Sequence, residues 1–329
     1  MKLFLWRTPI ELAEGAEIIA LFNRNKMQIL DTALIDQLMA KKALIGEGAT
    51  STVYKVSNCF TQKGFLGLKI LKNVLFREND STGATNEERK SVWTEEEDLN
   101  ETNEEEDDEI DTDKVKSLYN EFEILFHLKN PNIIKTYGFY FGDKTHNPAL
   151  LLEYCKFNLE KVIKIGDLKD FELVGIIYEI CSAMKYVHAK KIIHRDLKMT
   201  NILVNLQKHV KICDFGIARS IDLTTYTSMS HGVGTFLFMA PELLIEGSKY
   251  NEKVDVYSFG FVMYFIVTKG ELPQYSQTGY ESFKIPKNVN KLSQKIIKSC
   301  WSIDPNQRPS FDMILQEIIK NNFMLINGI

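Results

Sequence analysis

Residues 78 to 113 hold seventeen Asp or Glu against only Arg89 and Lys90, a local charge of −15 in a chain whose overall charge is −4. This segment includes "TEEEDLNETNEEEDDEIDTD" and has few apolar side chains to bury, a composition that predicts disorder. Whatever core the chain forms must therefore come from the residues on either side of it. The remainder carries +11, which suits an anionic ligand such as a nucleotide and equally an ordinary solvated surface. With 329 residues and 44% apolar side chains, a sizeable core is available and the domain count stays open.

The cysteines, at positions 59, 155, 181, 213 and 300, are odd in number and form no C-x-x-C or Cys/His cluster. They read as reduced thiols of an intracellular protein, not as disulfides or zinc ligands. "MKLFLW" opens like a secretion signal, but its apolar run stops at Arg7 and a charged stretch follows. The run "VYSFGFVMYFIV", residues 256 to 267, is too short to cross a bilayer. A soluble, cytoplasmic chain with no membrane span is expected.

At Thr8 to Glu11, "TPIE" offers an N-cap, a proline at the first helical position and a reciprocal Glu, predicting a helix to about Asn23. From Ala43, "ALIGEGATSTVYKV" and "FLGLKILKNV" read as strands joined by glycine turns. Beyond the acidic segment, "KVKSLYNEFEILFHL" has helical spacing, while "NIIKTYGFYF" and "ALLLEYC" read as further strands. From about residue 171 the pattern is mainly helical. Strands with one helix, followed by a larger helical region, predict a two-lobed α+β architecture. No fixed-period repeat is present.

Gly46 and Gly48 lie in "GEGATS", a near match to G-x-G-x-x-G with Ser51 in the last glycine position. A tight hairpin alone would account for these glycines. A dinucleotide fold would place a helix directly after them, but "TVYKV" continues as a strand, and the chain contains no G-x-x-x-x-G-K-[ST]. The result is a glycine-tipped hairpin whose backbone N–H groups can cover phosphates. Sixteen positions after Val53 stands Lys69; apolar alternation and register favour it over its neighbour Lys72. Further on, "IIHRDLKMTNILV" contains H-R-D-L-x-x-x-N in full, from His194, Arg195 and Asp196 to Asn201. "CDFG" follows, with Asp214, Phe215 and Gly216. "GTFLFMAPE" ends at Glu242, "DVYSFG" begins at Asp255, and "CWSIDPNQRPSF" contains Arg308.

In these motifs and their order, from about Ala43 to Ile319, the chain resembles the eukaryotic protein kinase family. The resemblance implies a bilobal α+β fold: a small lobe of five strands with one main helix, and a larger, mainly helical lobe. It places a kinase domain at residues 43–320, interrupted by the acidic insertion at 78–113. An N-terminal extension of residues 1–42 precedes the domain, and a short tail of residues 321–329 follows it. The extension is expected to be helical, either packing on the small lobe or docking a partner.

By the same resemblance, Asp196 would accept or orient the proton of the substrate hydroxyl, and Lys198 would hold the transferring phosphate. Asn201 and Asp214 would ligate magnesium, or manganese in its place. Lys69 would reach the ATP phosphates and pair with Glu121, eleven positions before the second Asn of "NPNI"; Glu123 is the second choice. Leu125, one turn after Glu121, would face the core. Ile45, Gly46, Gly48 and Val53 would lie above the ATP and Leu203 below it. Leu152 would stand behind the adenine, with Glu153 and Cys155 offering backbone groups to its edge. Gly67 replaces the family's usual Ala and would loosen one wall. Glu242 and Arg308 would form a buried ion pair, Asp255 would anchor the catalytic loop, and Phe215 would be structural. Arg195 would pair with a phosphate on the activation segment, where Thr227, Ser228 and Ser230 are candidate acceptors. His231 occupies the family's commonest phosphosite.

"DVYSFG" and "CWSIDPNQRPSF" resemble tyrosine kinases and the tyrosine-kinase-like group, whereas Lys198 and Thr235 resemble serine/threonine kinases. The second pair touches substrate chemistry. The implied activity is therefore transfer of the ATP γ-phosphate to serine or threonine of protein substrates. Activation would come from an upstream kinase or from the chain itself, and no nucleic-acid partner is implied. The rival is a pseudokinase, a binding or scaffold module; such modules usually lack the strand lysine, catalytic Asp or metal Asp, and candidates for all three stand here. The acidic insertion falls between Lys69 and Glu121. It is either a solvated spacer, which loop-closure entropy tolerates, or a regulator. As a regulator it would compete for Lys69 in a salt-sensitive way, or present Thr94 and Thr102 to acid-preferring kinases.

Overall fold

The computed structural model of the protein describes residues 29–61, 64–72, 112–220, 238–245, 248–273 and 283–321. The helix expected at residues 8 to 23, most of the acidic segment, and Thr227, Ser228, Ser230 and Thr235 lie outside those residues.

Short β-branched and apolar runs form an antiparallel sheet of β1 (Ala43–Glu47), β2 (Ser51–Ser57), β3 (Phe65–Leu71), β4 (Thr136–Tyr140) and β5 (Ala149–Glu153). Their spatial order is β1-β2-β3-β5-β4. β3 is thus central, and Lys69 lies opposite Val53 on one side and Leu150 on the other. The β1–β2 turn is closed by Gly48 N donating to Ser51 O at 2.8 Å.

Ahead of the sheet, Asp31 caps helix α1 (Thr32–Met39), accepting from Leu34 N at 2.9 Å. α1 buries Ile35 and Leu38 in a cluster with Val56, Leu66, Leu68 and Leu151 of the sheet. Residues 32–39 of the N-terminal extension therefore pack on the small lobe. Leu38→Ala removes buried methyl groups from this contact and is expected to cost about 2–3 kcal/mol. Urea unfolding measures it; a loss as small as that of an exposed control such as Lys41→Ala would show that α1 adds little to the lobe.

Helix α2 (Thr112–His127) begins inside the stretch expected to be acidic insertion, so the helix takes over at 112 and not after 113. Leu118, Phe122 and Leu125 make its buried stripe, and the Phe122 ring lies 5.4 Å from that of Phe139 on β4.

The larger lobe contains α3 (Leu159–Ile165), α4 (Asp170–Ala189), α5 (Lys253–Val267), α6 (Lys291–Cys300) and α7 (Phe311–Lys320). Asn158 caps α3 through Lys161 N, and Gly166, at φ +76°, ends it in the left-handed conformation that glycine adopts without strain. α5 is buried on every side from Val254 to Val267, as an apolar helix in the middle of a lobe must be. Gly260 within it is required by packing: a Cβ there would lie 2.6 Å from Trp301 Nε1. Among the described residues the lobe also has five short strands: β6 (Phe157–Asn158), β7 (Ile192–Ile193), β8 (Ile202–Val204), β9 (Val210–Ile212) and β10 (Arg219–Ser220).

The lobes meet along β9. Ile134 N donates to Ile212 O at 2.9 Å, Ile212 N donates to Asn132 O at 2.8 Å, and Lys211 pairs with Glu153 at 2.9 Å. No helix among the described residues is long and apolar enough to cross a membrane.

Candidate active site

β3 and α2 bring Lys69 and Glu121 together across 52 positions of sequence, with Lys69 Nζ 2.7 Å from Glu121 Oε2. The same ammonium lies 2.9 Å from Asp214 Oδ1. This second contact was not anticipated from the sequence, which gave Asp214 only a metal-binding role. Burial alone would push the Lys69 pKa down, but Asp214 and Glu121 outweigh it and hold the pKa above the usual lysine value. Burial raises the Glu121 carboxyl despite Lys69, whereas the Lys69 charge lowers that of Asp214. Lys72, the rejected alternative to Lys69, pairs with Glu47 at 2.6 Å. Glu123, the second choice for Lys69's partner, is not among the contacts of that lysine.

The loop after β7 gathers the next group. Asp196 Oδ2 accepts from Lys198 Nζ at 2.7 Å and from Asn201 Nδ2 at 2.8 Å. Beneath it, the buried Asp255 accepts from His194 N at 2.9 Å and Arg195 N at 2.8 Å, and it contacts His188 Nε2 at 2.8 Å. Although burial opposes ionisation of Asp255, these bonds and the histidine charges lower its pKa. This anchoring supports Arg195 at φ +70°, a left-handed conformation that is costly for a residue with a Cβ. The Arg195 guanidinium lies 5.5 Å from the Tyr250 ring centroid. His194 Nε2 contacts Cys213 O at 3.0 Å, and its ring lies 4.6 Å from that of Phe215, joining the loop to the segment of Asp214. Cys213 N donates to Asn201 O at 3.0 Å.

A divalent cation fits the donors present. The Asn201 amide nitrogen is directed at Asp196, which leaves its oxygen as the acceptor end, and the Asp214 side chain stays 42% exposed although one oxygen meets Lys69. One carboxylate and one amide oxygen suit magnesium shared with phosphate oxygens. The described residues contain no cluster of three His, Cys, Asp or Glu for an all-protein cage.

Of the residues expected around ATP, Ile45, Gly46 and Val53 lie on the β1–β2 hairpin, and Gly48 follows β1 at its turn. Gly46 pairs with Val53, and Gly67 lies opposite Leu152. A Cβ on Gly67 would meet Glu153 O at 3.5 Å and Leu152 Cβ at 3.8 Å, ordinary contacts, so alanine would fit there without displacing the strand. Glu153 ends β5, Cys155 follows it, and Leu203 lies in β8. Burial pushes the Cys155 thiol up to about 12, so it stays protonated. A groove of about 320 Å³ opens elsewhere, on the outer side of the sheet, among Ile35, Met39, Tyr54, Ile70 and His146. Tyr54 and Ile70 alternate with Val53 and Lys69 along their strands and so face the other way.

Glu242 and Arg308 form the expected pair, with Arg308 Nη1 2.5 Å from Glu242 Oε1 and Nη2 2.9 Å from Oε2. His188, Lys211, Ser117 and Asn120 also take part in holding the site, and no motif pointed to them. The two α2 residues could have been found only by knowing which face of the helix meets the segment after Asp214.

A glycine hairpin, the Lys69/Glu121/Asp214 contacts and a backbone-anchored Asp196 loop occur together in a two-lobed fold, the combination expected from the sequence. Comparison with known proteins agrees: residues 98–319 match the family model described as the protein kinase domain. This chain belongs to the protein kinase family. It is 34% identical over 220 residues to the dual specificity protein kinase shkE of Dictyostelium discoideum, covering 62% of this chain and 31% of that protein. It is 33% identical over 221 residues to the serine/threonine-protein kinase CTR1 of Arabidopsis thaliana, covering 62% and 26%. To the tyrosine-protein kinase receptor svh-2 of Caenorhabditis elegans it is 30% identical over 238 residues, covering 65% and 21%. The chain spans less than a third of the length of each of these relatives. The family model begins within the acidic segment, so β1, β2 and β3, including Lys69, come from the structure and not from that match.

Proposed function

We propose that the protein is an active protein kinase that transfers the γ-phosphate of ATP to serine or threonine hydroxyls of protein substrates. The single observation that carries this reading is the contact of Lys69 with both Glu121 and Asp214. A binding module would have no need to bury one cation between two carboxylates beside an anchored Asp196.

Phosphoryl transfer asks a protein for positioning and charge neutralisation more than for covalent chemistry. Lys69 offers a fixed positive charge to the phosphates, oriented by Glu121. Asp196, held by Lys198 and Asn201, orients the substrate hydroxyl and accepts its proton as the hydroxyl oxygen bonds to the γ-phosphorus and the bond from that phosphorus to the bridging oxygen breaks, with ADP as the leaving group. Lys198 moves from Asp196 to the transferring phosphate once nucleotide is bound. A magnesium ion held by Asn201 and Asp214 would neutralise phosphate charge. Glu153 and Cys155 present backbone groups to the adenine edge, and Ile45, Val53 and Leu203 form its apolar walls. The serine/threonine preference rests on Lys198, and relatives named as serine/threonine kinases support it; shkE, named as dual specificity, supplies the specific alternative of added tyrosine phosphorylation.

Regulation by phosphate on Thr227, Ser228 or Ser230 belongs to this reading, with Arg195 as the pairing cation. Cytoplasmic action on protein substrates, with an upstream kinase or the chain itself as activator, is the cellular setting proposed. Incubation with magnesium, ATP and a generic basic protein, followed by phosphoamino acid analysis, tests the specificity: phosphoserine and phosphothreonine are expected. Phosphotyrosine alone would overturn the serine/threonine assignment.

A further inference from the structure

Gly67 stands inside β3 two residues before Lys69, a position where glycine weakens a strand because it packs nothing. The backbone does not require it there: its φ is not positive, and the register of β3 against β2 and β5 runs past it without a bulge. Packing does not require it either. The nearest atoms to an added Cβ would be Glu153 O at 3.5 Å, Leu152 Cβ at 3.8 Å and Leu152 O at 3.9 Å, all ordinary contacts with the paired strand. A strand glycine that neither the backbone nor its packing demands marks a place where a ligand comes close to the main chain.

Alternation along the strand fixes the side on which that space opens. Leu66 and Leu68, the two neighbours of Gly67, belong to the apolar cluster under α1 on the outer side of the sheet. Gly67 therefore faces the other way, on the side of Lys69, whose Nζ meets Glu121 and Asp214, and of the buried Leu152 opposite it. Two residues of strand span about 6.6 Å, and β3 runs antiparallel to β5, so the space lies that far from Lys69 in the direction of Glu153. With phosphates at Lys69 and the purine edge at Glu153 and Cys155, the base lies against Gly67.

We propose that Gly67 is a specificity-determining residue of the nucleotide site: the space beside Glu153 O admits a small alkyl group on the exocyclic amine of the purine, so that N6-alkyl ATP serves as a phosphate donor as well as ATP does. A secondary amine keeps one N–H for a backbone acceptor, and its methyl group occupies the volume that a Cβ on residue 67 would fill. Leu152 bounds that volume, which restricts the group to a small one. The step itself is unchanged: the γ-phosphorus passes to the substrate hydroxyl oxygen, Asp196 takes the proton, and N6-alkyl ADP leaves. The proposal rests on the kinase reading and deepens it, since it names which nucleotides the site accepts.

The test uses the full chain and Gly67→Ala, with ATP and N6-methyl ATP as the probes. Calorimetry with magnesium gives the Kd of each nucleotide, and KM for phosphate transfer is measured beside it. The wild type should bind the two nucleotides within about twofold of each other. Gly67→Ala should weaken N6-methyl ATP by about tenfold, because the two methyl groups compete for one volume. ATP itself should bind the variant about threefold tighter through the added apolar contact. A change that acted only through the fold would move both nucleotides by the same factor, so the ratio of the two Kd values carries the result. A wild type that rejects N6-methyl ATP by more than about tenfold, or a ratio that Gly67→Ala leaves unchanged, would overturn the proposal. Binding of both nucleotides without phosphate transfer would instead overturn the kinase reading, and the Kd ratio would still decide the role of Gly67; binding of neither would overturn both.

Discussion

Lys69→Met is expected to lower phosphate transfer by about 100-fold or more while leaving the chain folded. Among the described residues, Lys69 Nζ is the cation that meets both Glu121 and Asp214, at 2.7 and 2.9 Å. Methionine keeps the stem and its packing against the sheet but removes the charge. Glu121, whose pKa is already raised by burial, would then take up a proton, which spares the fold the cost of an unpaired buried charge. The loss should appear in the rate at saturating ATP, with circular dichroism unchanged. If Lys69→Met transferred phosphate at the wild-type rate, Lys69 would not be the phosphate-binding lysine, and Lys72 would have to be reconsidered despite its pairing with Glu47.

The largest effect on stability is expected at Arg308. Its guanidinium is fully buried, pairs with both oxygens of Glu242, and donates to Ser302 O at 2.8 Å, Lys253 O at 3.1 Å and Ile303 O at 3.3 Å. Arg308→Leu leaves Glu242 without its cation and three carbonyls without this donor. Breaking such a pair from one side costs about 3–5 kcal/mol. In a domain of this size that lowers the melting temperature by on the order of 10 °C. Replacing both partners by leucine should cost less than either single change, because no lone charge is left behind. A double variant as unstable as the sum of the singles would show that the two residues act independently, contrary to the bidentate geometry.

The parts of the site that were legible in sequence are those where chemistry restricts residue type at short range. Asp196, Lys198 and Asn201 lie within one loop, so their spacing survives any packing, and the structure brings them into mutual contact. Lys69 was legible through its register to Val53, and the structure sets the two side by side across β2 and β3. Glu121 could be placed by counting back from the "NPNI" turn even though the acidic segment lies between it and Lys69.

What could not be read depends on how distant elements approach. The contact of Asp214 with Lys69 spans 145 positions and follows from the meeting of two lobes. His188, facing Asp255 and the Phe311 ring at 5.2 Å, looks in sequence like any histidine near the end of a helix. α1 has an Asp cap and a short run of apolar residues, of which Ile35 and Leu38 become buried; its sequence is too short to say which surface it covers. Only the sheet supplies that surface. Lys211 and Glu153 form part of the seam along β9, where charge pattern alone gives no hint that a strand of each lobe is involved.

The central claim is that this chain performs phosphoryl transfer with Asp196 at the reacting hydroxyl, and phosphate incorporation by purified wild-type protein and by Asp196→Asn tests it most directly. Asparagine preserves the shape but cannot accept the hydroxyl proton. The account predicts magnesium-dependent phosphate incorporation into the chain itself or a basic protein substrate by the wild type, and none above background by the variant. Equal incorporation by the two proteins, or none by the wild type, would contradict it.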